Sequence, residues 1–440
     1  MLMLIKGGRV VDPGHMDGIA DILIEDGRIC KIIPMELENN SDQPSKLQHA
    51  VTQIIDASGK IVTPGLIDMH VHLREPGQEH KETIATGCRA AVAGGFTGIC
   101  CMPNSNPVND SRQVTKFIME KASQANFARV YPVAAISKGL AGKTLCEYGE
   151  LKAAGAIAVS DDGNPVMDSR LMRKALESVR DLGLLSISHC EDLDLAADGV
   201  MNAGPVADRL GLPGISNASE SIMVQRDIAL SQITGAPVHI AHVSAAESVQ
   251  AVREAKASGI AVTAETAPHY FTLTDAAVQE YSTNAKMNPP LRSGQDREAI
   301  RRGLADGTID AIATDHAPHA SSEKKVAFEK APNGIIGLET ALPLGLQLAR
   351  DGVISIQTLI EKMSTNPARL LKLEHGLTAG RPADISIIDP DLAFTVEADK
   401  LHSLSRNMPY DGWQMIGKAV LTMVEGRIVF DEMQSEKNRT

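Results

Sequence analysis

The sequence predicts an α/β protein: a (β/α)8 TIM barrel with a small β-sandwich domain assembled from both termini. Three observations predict this fold. From residue 66 onward, short apolar runs alternate with segments of helical period. The apolar runs number eight, as a closed parallel barrel requires. Both ends of the chain lack helical period and are rich in β-branched residues and turn dipeptides.

The eight apolar runs are nearly continuous, which is typical of parallel strands buried on both faces. They are predicted as strands at Leu66–His72, Phe96–Met102, Arg129–Ala135, Ala156–Ser160, Leu184–His189, Pro237–His242, Ile260–Glu265 and Ile309–Thr314.

Helical periodicity between these runs predicts the covering helices. They are expected at His80–Ala93, Arg112–Ala125, Ser169–Leu182, Glu220–Thr234, Ala245–Ser258 and Asp296–Asp306. Five of them end near a glycine, the residue favoured just beyond a helix C-terminus. These glycines are Gly94, Gly183, Gly235, Gly259 and Gly307.

The two ends of the chain share a local pattern, a strand followed by a Gly-Arg-Ile turn at Gly27 and again at Gly426. We therefore predict one composite β-domain from residues 1–62 and 376–440, packed beside the barrel of residues 63–375. Residues 35–53 are polar and are predicted to form a loop.

Composition and charge exclude several classes of partner. The 440 residues carry 43 Lys and Arg against 55 Asp and Glu, a formal net charge of -12, and no basic cluster. This balance argues against nucleic acid or an anionic membrane surface as a partner. No apolar window is long enough to span a membrane and no secretory signal is evident, so a cytoplasmic location is expected.

Histidines gather at the predicted strand ends. His70 and His72 are two apart, so in a strand they face the same way, about 7 Å apart, and can share a metal ion. Taken alone, this pair is a weak signal. Four other predicted strands also end in histidine or aspartate, at Asp161-Asp162, His189, His242 and Asp315-His316.

Because the carboxyl ends of barrel strands meet at one mouth, these side chains are expected to converge there. Imidazole and carboxylate are the ligand set that suits zinc and related divalent ions. Asp161 and Asp162 face opposite ways, and spacing does not choose between them. His239 lies three residues before His242 and is expected beneath the site.

Eight ordered motifs carry a family resemblance. The chain contains D-M-H-V-H-L-R-E-P-G, C-M-P-N, S-D-D-G, S-H-C-E-D, H-I-A-H-V-S-A, T-A-E-T-A-P-H-Y and I-A-T-D-H-A-P-H, the first of them preceded by V-T-P-G-L-I. Between about Gly59 and Gly337 it closely resembles the type I dihydroorotases of the amidohydrolase superfamily.

The resemblance implies metal ligands. It implies a first zinc held by His70, His72 and Asp315, and a second held by His189 and His242. Asp162 would bridge the two sites. No lysine occurs between Val159 and Gly163, where much of the superfamily carries a carbamylated bridging lysine. Type I sites hold one or two ions, and two are favoured.

The resemblance also implies an activity, the reversible zinc-dependent cyclisation of N-carbamoyl-L-aspartate to L-dihydroorotate in pyrimidine biosynthesis. Asp315 would be the general base and acid. Arg74, on the expected extended run after His72, can offer a bidentate fork to the substrate carboxylate. The resemblance adds substrate contacts from Asn104, Asn288, His319 and the backbone of Pro332, Asn333 and Gly334.

The charged segment after His319 fits either a lid over the substrate or an ordinary surface loop. Two alternative functions are considered, another cyclic amidase of the hydantoinase or allantoinase kind, and a non-catalytic scaffold for aspartate transcarbamoylase. All six implied ligands are present, which disfavours the scaffold. A small-molecule substrate, a homodimer and a possible complex with aspartate transcarbamoylase are expected.

Overall fold

The computed structural model describes residues 1–35 and 51–433, so most of the loop expected over residues 35–53 lies outside the described residues. The described strands are β1 Leu2–Asp12, β2 Met16–Glu25, β3 Arg28–Pro34, β4 Gln53–Asp56, β5 Ile61–Pro64, β6 Leu66–Val71, β7 Phe96–Cys101, β8 Arg129–Ala134, β9 Ala158–Val159, β10 Leu185–Ser188, β11 Met201–Asn202, β12 Gly214–Ile215, β13 Val238–Ile240, β14 Val262–Thr266, β15 Ala311–Ile312, β16 Ile385–Thr395, β17 Gln414–Val424 and β18 Arg427–Asp431.

Helices cover the outside of the barrel and fill the longer connections. The α-helices described are Ile84–Ala93, Arg112–Ala125, Tyr148–Ala154, Ser169–Leu182, Leu193–Ala196, Pro205–Leu210, Asn217–Thr234, Ala246–Ala257, Pro268–Thr272, Gly294–Ala305, Ser321–Lys324, Ala341–Arg350, Ile356–Ile360 and Asn366–Leu370. Within the described ranges, no helix combines the length and apolar character needed to cross a membrane.

The barrel contains all eight strands that the sequence predicts. They pair in parallel in the order β15-β14-β13-β10-β9-β8-β7-β6. The two ends of this order meet where the His72 amide donates to the His316 carbonyl at 2.9 Å, next to a bridge between Val71 and His316. The barrel prediction is therefore confirmed, and its carboxyl ends form one mouth.

Local sequence explains where the helices begin and end. Asp168 caps the helix Ser169–Leu182 by accepting from the Arg170 and Leu171 amides, and Gly183 ends it with a left-handed φ of 64°. Gly94 is required for a different reason. Its φ is -80°, but a Cβ there would lie 2.1 Å from the Leu338 carbonyl oxygen.

Strands from both termini form a second, mixed sheet in the order β18-β17-β16-β5-β1-β2-β3, with β4 also paired to β1. Residues from both halves of this sheet share one apolar cluster, so the sheet encloses its own core. The cluster includes Met3, Ile5, Ile22, Val62, Ile385, Ile387 and Leu421. The division into residues 1–62 with 376–440 and residues 63–375 stays a prediction.

Candidate metal centre and substrate cavity

Six side chains meet at the barrel mouth and are called the strand-end cluster: His70, His72, Asp162, His189, His242 and Asp315. Ligand atoms of His70, His72 and Asp162 all lie within 4.8 Å of one another, and so do those of Asp162, His189 and His242. Asp162 belongs to both groups, and all of these residues are buried. The geometry can therefore hold one metal ion or two that share a carboxylate.

Short distances connect the two groups. His70 Nε2 lies 3.1 Å from Asp162 Oδ1, and His189 Nδ1 lies 2.8 Å from His242 Nε2. His72 Nε2 lies 3.1 Å from Asp315 Oδ1. His70 Nε2 and Asp162 Oδ1 are buried and have no hydrogen-bond partner. Nitrogen and oxygen lone pairs left in this way fit a bound divalent cation.

The structure distinguishes the two neighbouring aspartates. Asp161 points away from the cluster and accepts from the Ile136 amide at 2.7 Å and the Ser137 amide at 2.9 Å. Asp162 faces the histidines. Alternation along the chain predicts that Asp161 and Asp162 point in opposite directions. Which of them faces the histidines depends on the local backbone conformation, which the sequence pattern does not show.

Electrostatics keep the cluster's carboxylates ionised. Burial opposes ionisation, yet the hydrogen bond from His72 and the nearby histidine charges lower the pKa of Asp315 to about 2. Burial is likewise outweighed at Asp162, where His70 and the other histidines hold the pKa well below its usual value. Ionised carboxylates among imidazoles make a cation-binding site.

A fully buried glutamate that the sequence analysis did not select supports the cluster from beneath. Glu265 Oε1 lies 2.8 Å from His70 Nδ1, and Glu265 Oε2 lies 3.2 Å from His239 Nε2. The bond at Nδ1 directs Nε2 of His70 toward the cluster. His239 lies beneath the site, as expected. A charged residue within a strand predicted to be buried was the available sequence signal.

Backbone strain marks three residues at the mouth. His242, Asp315 and Arg74 have positive φ values of 35°, 48° and 61°. Non-glycine residues seldom adopt these angles, which cost about 1–3 kcal/mol each. The expectation that Arg74 continues an extended run is therefore wrong, because β6 ends at Val71 and the chain turns to give Arg74 a left-handed backbone.

A cavity of about 230 Å³ opens beside the cluster. It is lined by His72, Arg74, Asn104, Asp162, Gly163, His189, His242, Asn288, Asp315, Ala317, His319, Asn333 and Gly334. The predicted substrate contacts all lie in the described part of the chain, and of them Pro332 alone is not in this lining. Its carbonyl instead accepts from Lys324 Nζ at 2.8 Å.

Arg74 lines the cavity together with Asp162 and Asp315 and is held there by hydrogen bonds. Its Nε donates to the Pro318 carbonyl at 3.1 Å, and Nη2 lies 3.4 Å from His319 Nε2. Burial lowers the pKa of Arg74 to about 10, so the guanidinium stays charged at neutral pH. Asn104 Oδ1 lies 2.8 Å from His72 Nδ1, which leaves the Asn104 amide NH2 as a donor.

Two segments, residues 286–290 and 317–334, form the rest of the cavity wall and are called the loop wall. Two buried lysines connect them. Lys286 Nζ donates to the Phe328 and Glu329 carbonyls at 2.8 and 3.0 Å. Lys324 Nζ donates to the carbonyls of Lys286, Pro332 and Gly334 at 3.4, 2.8 and 3.0 Å.

Asn407, far along the chain, braces the same wall. It is 3% exposed, its Oδ1 accepts from the His319 amide, and its Nδ2 donates to the Ala317 and Gly334 carbonyls, each at 3.0 Å. Gly334 has a φ of 123°, and a Cβ there would lie 2.5 Å from the Ala317 Cβ. Neither lysine nor Asn407 carried a sequence signal, because their partners are distant in the chain.

A parallel barrel with histidines and carboxylates at its strand ends, beside a small polar cavity, defines a metal-dependent hydrolase of the amidohydrolase type. Sequence comparison specifies the family. A model of Dihydro-orotase-like proteins matches residues 59–248. The dihydroorotases of Desulforapulum autotrophicum and Syntrophus aciditrophicus are 54% and 52% identical to this chain, covering 98% of it and 99% and 100% of their own lengths. The chain belongs to the dihydroorotase family.

Comparison with solved structures supports the fold. An L-hydantoinase from Arthrobacter aurescens matches with a TM-score of 0.85 and 25% identity, covering 98% of this chain and 96% of its own. A dihydropyrimidinase from Brevibacillus agri matches with a TM-score of 0.81 and 24% identity, covering 98% and 95%. The family resemblance read from the motifs is thus confirmed by sequence, and the barrel with its terminal sheet by structure.

Proposed function

We propose that this protein is a zinc-dependent dihydroorotase, which interconverts N-carbamoyl-L-aspartate and L-dihydroorotate in de novo pyrimidine biosynthesis. One observation carries the proposal. A single cavity is lined both by members of the metal-ligand cluster and by the charged Arg74. That pairing suits a cyclic amide that also bears a carboxylate.

Arg74 favours dihydroorotate over the substrates of related cyclic amidases. Hydantoins, dihydropyrimidines and allantoin lack the ring carboxylate that a guanidinium would bind. The solved structures of similar fold are hydantoinases and a dihydropyrimidinase, so fold alone does not choose the substrate. Relatives that exceed 50% identity over nearly the whole chain are dihydroorotases, and they support the choice.

Two zinc ions fit the donor set best. His70, His72 and Asp315 would hold the first, His189 and His242 the second, and Asp162 would be shared, since it belongs to both groups of ligand atoms. A bound zinc ion lowers the pKa of water from about 15.7 to about 7 and polarises a carbonyl oxygen, which is the chemistry that amide hydrolysis needs.

The chain's own residues handle the proton and the substrate. Asp315, ionised at neutral pH, takes the proton from the attacking water and returns it to the amide nitrogen as the ring opens. In the cyclising direction, the same carboxylate works in reverse. Arg74, with Asn104 and His319 beside it in the cavity, holds the carboxylate that does not react.

Asn288 and the backbone of Asn333 and Gly334 contact the rest of the substrate from the loop wall. Pro332 would contribute through the position of its backbone. A cytoplasmic homodimer, with or without aspartate transcarbamoylase as a partner, completes the proposal. Sedimentation analysis of the protein alone and mixed with the transcarbamoylase tests the assembly.

The decisive experiment follows ring opening of L-dihydroorotate by its ultraviolet absorbance, using purified zinc-loaded protein with hydantoin and allantoin as parallel substrates. Turnover of dihydroorotate but not of the others is expected. Preferential turnover of hydantoin or allantoin would overturn the substrate assignment. Absence of turnover for every substrate, with the transcarbamoylase present, would favour the scaffold function instead.

A further inference from the structure

Glu191 joins the metal cluster to the loop wall. It follows His189 by two residues, is 8% exposed, and does not belong to the cavity lining. Its Oε2 accepts a hydrogen bond from Asn288 Nδ2 at 2.9 Å and lies 3.4 Å from His189 Nε2. One carboxylate oxygen therefore touches both a proposed zinc ligand and a proposed substrate contact.

The contact with Asn288 determines which way its amide points. An ionised carboxylate only accepts hydrogen bonds, so the Asn288 group facing Glu191 must be the NH2. Glu191 Oε2 lies within reach of two nitrogen donors, Asn288 Nδ2 and His189 Nε2, which is the environment of an acceptor. Asn288 Oδ1 is then the atom left over, and it is buried without a hydrogen-bond partner.

An unpartnered buried acceptor on a residue that lines the cavity implies a donor on the ligand. Dihydroorotate carries two ring N–H groups. The contact with His189 works in a parallel way, because a carboxylate at Nε2 directs Nδ1 toward the cluster, where it lies 2.8 Å from His242 Nε2.

We propose that Glu191 is a positioning residue that orients the Asn288 amide oxygen to accept a ring N–H of the substrate, and orients His189 toward the metal. The inference rests on the proposed function. It adds a determinant of specificity: Asn288 in the loop wall selects substrates that carry an N–H donor, as Arg74 selects substrates that carry a carboxylate.

A double-mutant cycle tests the link between Glu191 and Asn288. The probe is orotate, an unsaturated analogue that keeps the carboxylate and both ring N–H groups, with its Kd measured by calorimetry on zinc-loaded protein. Glu191→Gln and Asn288→Ala should each weaken binding about tenfold, the scale of one hydrogen bond involving a charged group. The double variant should stay within about threefold of the weaker single variant, because both changes remove the same contact.

Glu339→Gln is the matched control, since Glu339 Oε2 also bonds a histidine, His402 Nδ1 at 2.9 Å, without lining the cavity. It should bind orotate like the parent. If the double variant instead binds orotate about a hundredfold more weakly than the parent, the effects of the two substitutions multiply. That result would show that Glu191 does not act through Asn288 and would overturn the proposal.

Methylated analogues give a second measurement that needs no change at Glu191. Either 1-methylorotate or 3-methylorotate should bind the parent at least about tenfold more weakly than orotate, and that penalty should shrink in Asn288→Ala. Equal penalties in both proteins would contradict a bond from the ring N–H to Asn288. If Glu191→Gln fails to fold, this comparison still tests the bond from the ring N–H to Asn288 that the proposal requires, and equal penalties overturn it.

Metal affinity gives a readout apart from activity and ligand binding. In competition with a chromophoric chelator, Glu191→Gln should lower the affinity for the second zinc about 10- to 100-fold, and Glu339→Gln should not. Unchanged affinity would refute the role at His189. If the parent neither binds orotate nor turns over dihydroorotate, the proposed function is wrong. If the parent does both but the effects of Glu191→Gln and Asn288→Ala on the Kd multiply, only the inference about Glu191 is wrong.

Discussion

The strand-end cluster and the loop wall both contribute to the lining of one cavity, but they are built differently. Each member of the cluster lies at the end of a barrel strand or within three residues after it, so the hydrogen-bonded sheet itself brings the six side chains together. Neither segment of the loop wall contains a β-strand. Side chains tie it together, chiefly Lys286, Lys324 and Asn407, each donating to backbone carbonyls.

From this difference we infer that the strand-end cluster carries out the chemistry and that the loop wall recognises the substrate. Catalytic groups need fixed positions, which strand ends supply. A wall of loops can change its contacts without disturbing the barrel. Variants of the cluster should therefore reduce turnover and metal content, and variants of the wall should mainly change substrate affinity.

The largest effect is expected at Asp315. Replacement by asparagine removes the proton acceptor and should lower kcat about 10²- to 10⁴-fold in a folded protein, measured by dihydroorotate ring opening with circular dichroism as the folding check. Asp310→Asn is the control, because Asp310 lies at the opposite end of the same strand and bonds Lys256 Nζ. Near-normal turnover in Asp315→Asn would refute the proton-transfer role.

His189 tests the shared metal site. His189→Ala removes a ligand from the second group, so bound zinc, measured by elemental analysis, should fall from two ions per chain to one, and kcat should drop about tenfold or more. His402→Ala, a partly exposed histidine outside the cluster, should keep both ions. If the parent binds one zinc ion per chain and His189→Ala binds the same number, a single metal ion suffices for activity.

These two regions also differ in how far sequence predicts them. The His70 and His72 pair and the acids after later strands could be selected because strand ends converge in any parallel barrel. Arg74 lies in the lining of the cavity, but its extended backbone was predicted wrongly, since a left-handed turn has no signature in that motif. Glu191, Lys324 and Asn407 escaped notice because their roles depend on contacts between distant segments.

Arg74 tests recognition of the carboxylate. Arg74→Lys keeps the charge but loses the planar fork, so kcat/KM for dihydroorotate should fall about 10- to 100-fold, mostly through KM. Arg89→Lys serves as the control, since Arg89 lies over the Phe127 ring away from the cavity. A fall in kcat with unchanged KM would place Arg74 in the chemistry rather than in binding.

Substitution of Lys324 tests whether its hydrogen bonds within the loop wall contribute to substrate affinity. Lys324→Met keeps the length of the side chain but removes a donor from three carbonyls. The Lys286 and Gly334 carbonyls keep a second donor, the Gly334 amide and Asn407 Nδ2, so the cost of about 1–3 kcal/mol for an unsatisfied buried group falls on the Pro332 carbonyl. We expect KM to rise about fivefold with two zinc ions retained. The exposed neighbour gives the control Lys325→Met. Loss of zinc in Lys324→Met would mean that the wall and the cluster are not independent.

The smallest effect is a pH dependence of stability. Burial and the nearby charge of Lys286 lower the pKa of Lys324 to about 7, from 10.5 for an unperturbed lysine. Between these values the unfolded chain binds the proton more than the folded chain does, so this lysine's contribution to the free energy of unfolding rises with pH from about 7 to about 10.5. In urea unfolding at pH 7 and pH 9, the parent should gain stability with pH relative to Lys324→Met. If the two proteins show the same pH slope, the wall holds Lys324 as a fully charged ammonium, because its three carbonyl acceptors outweigh burial.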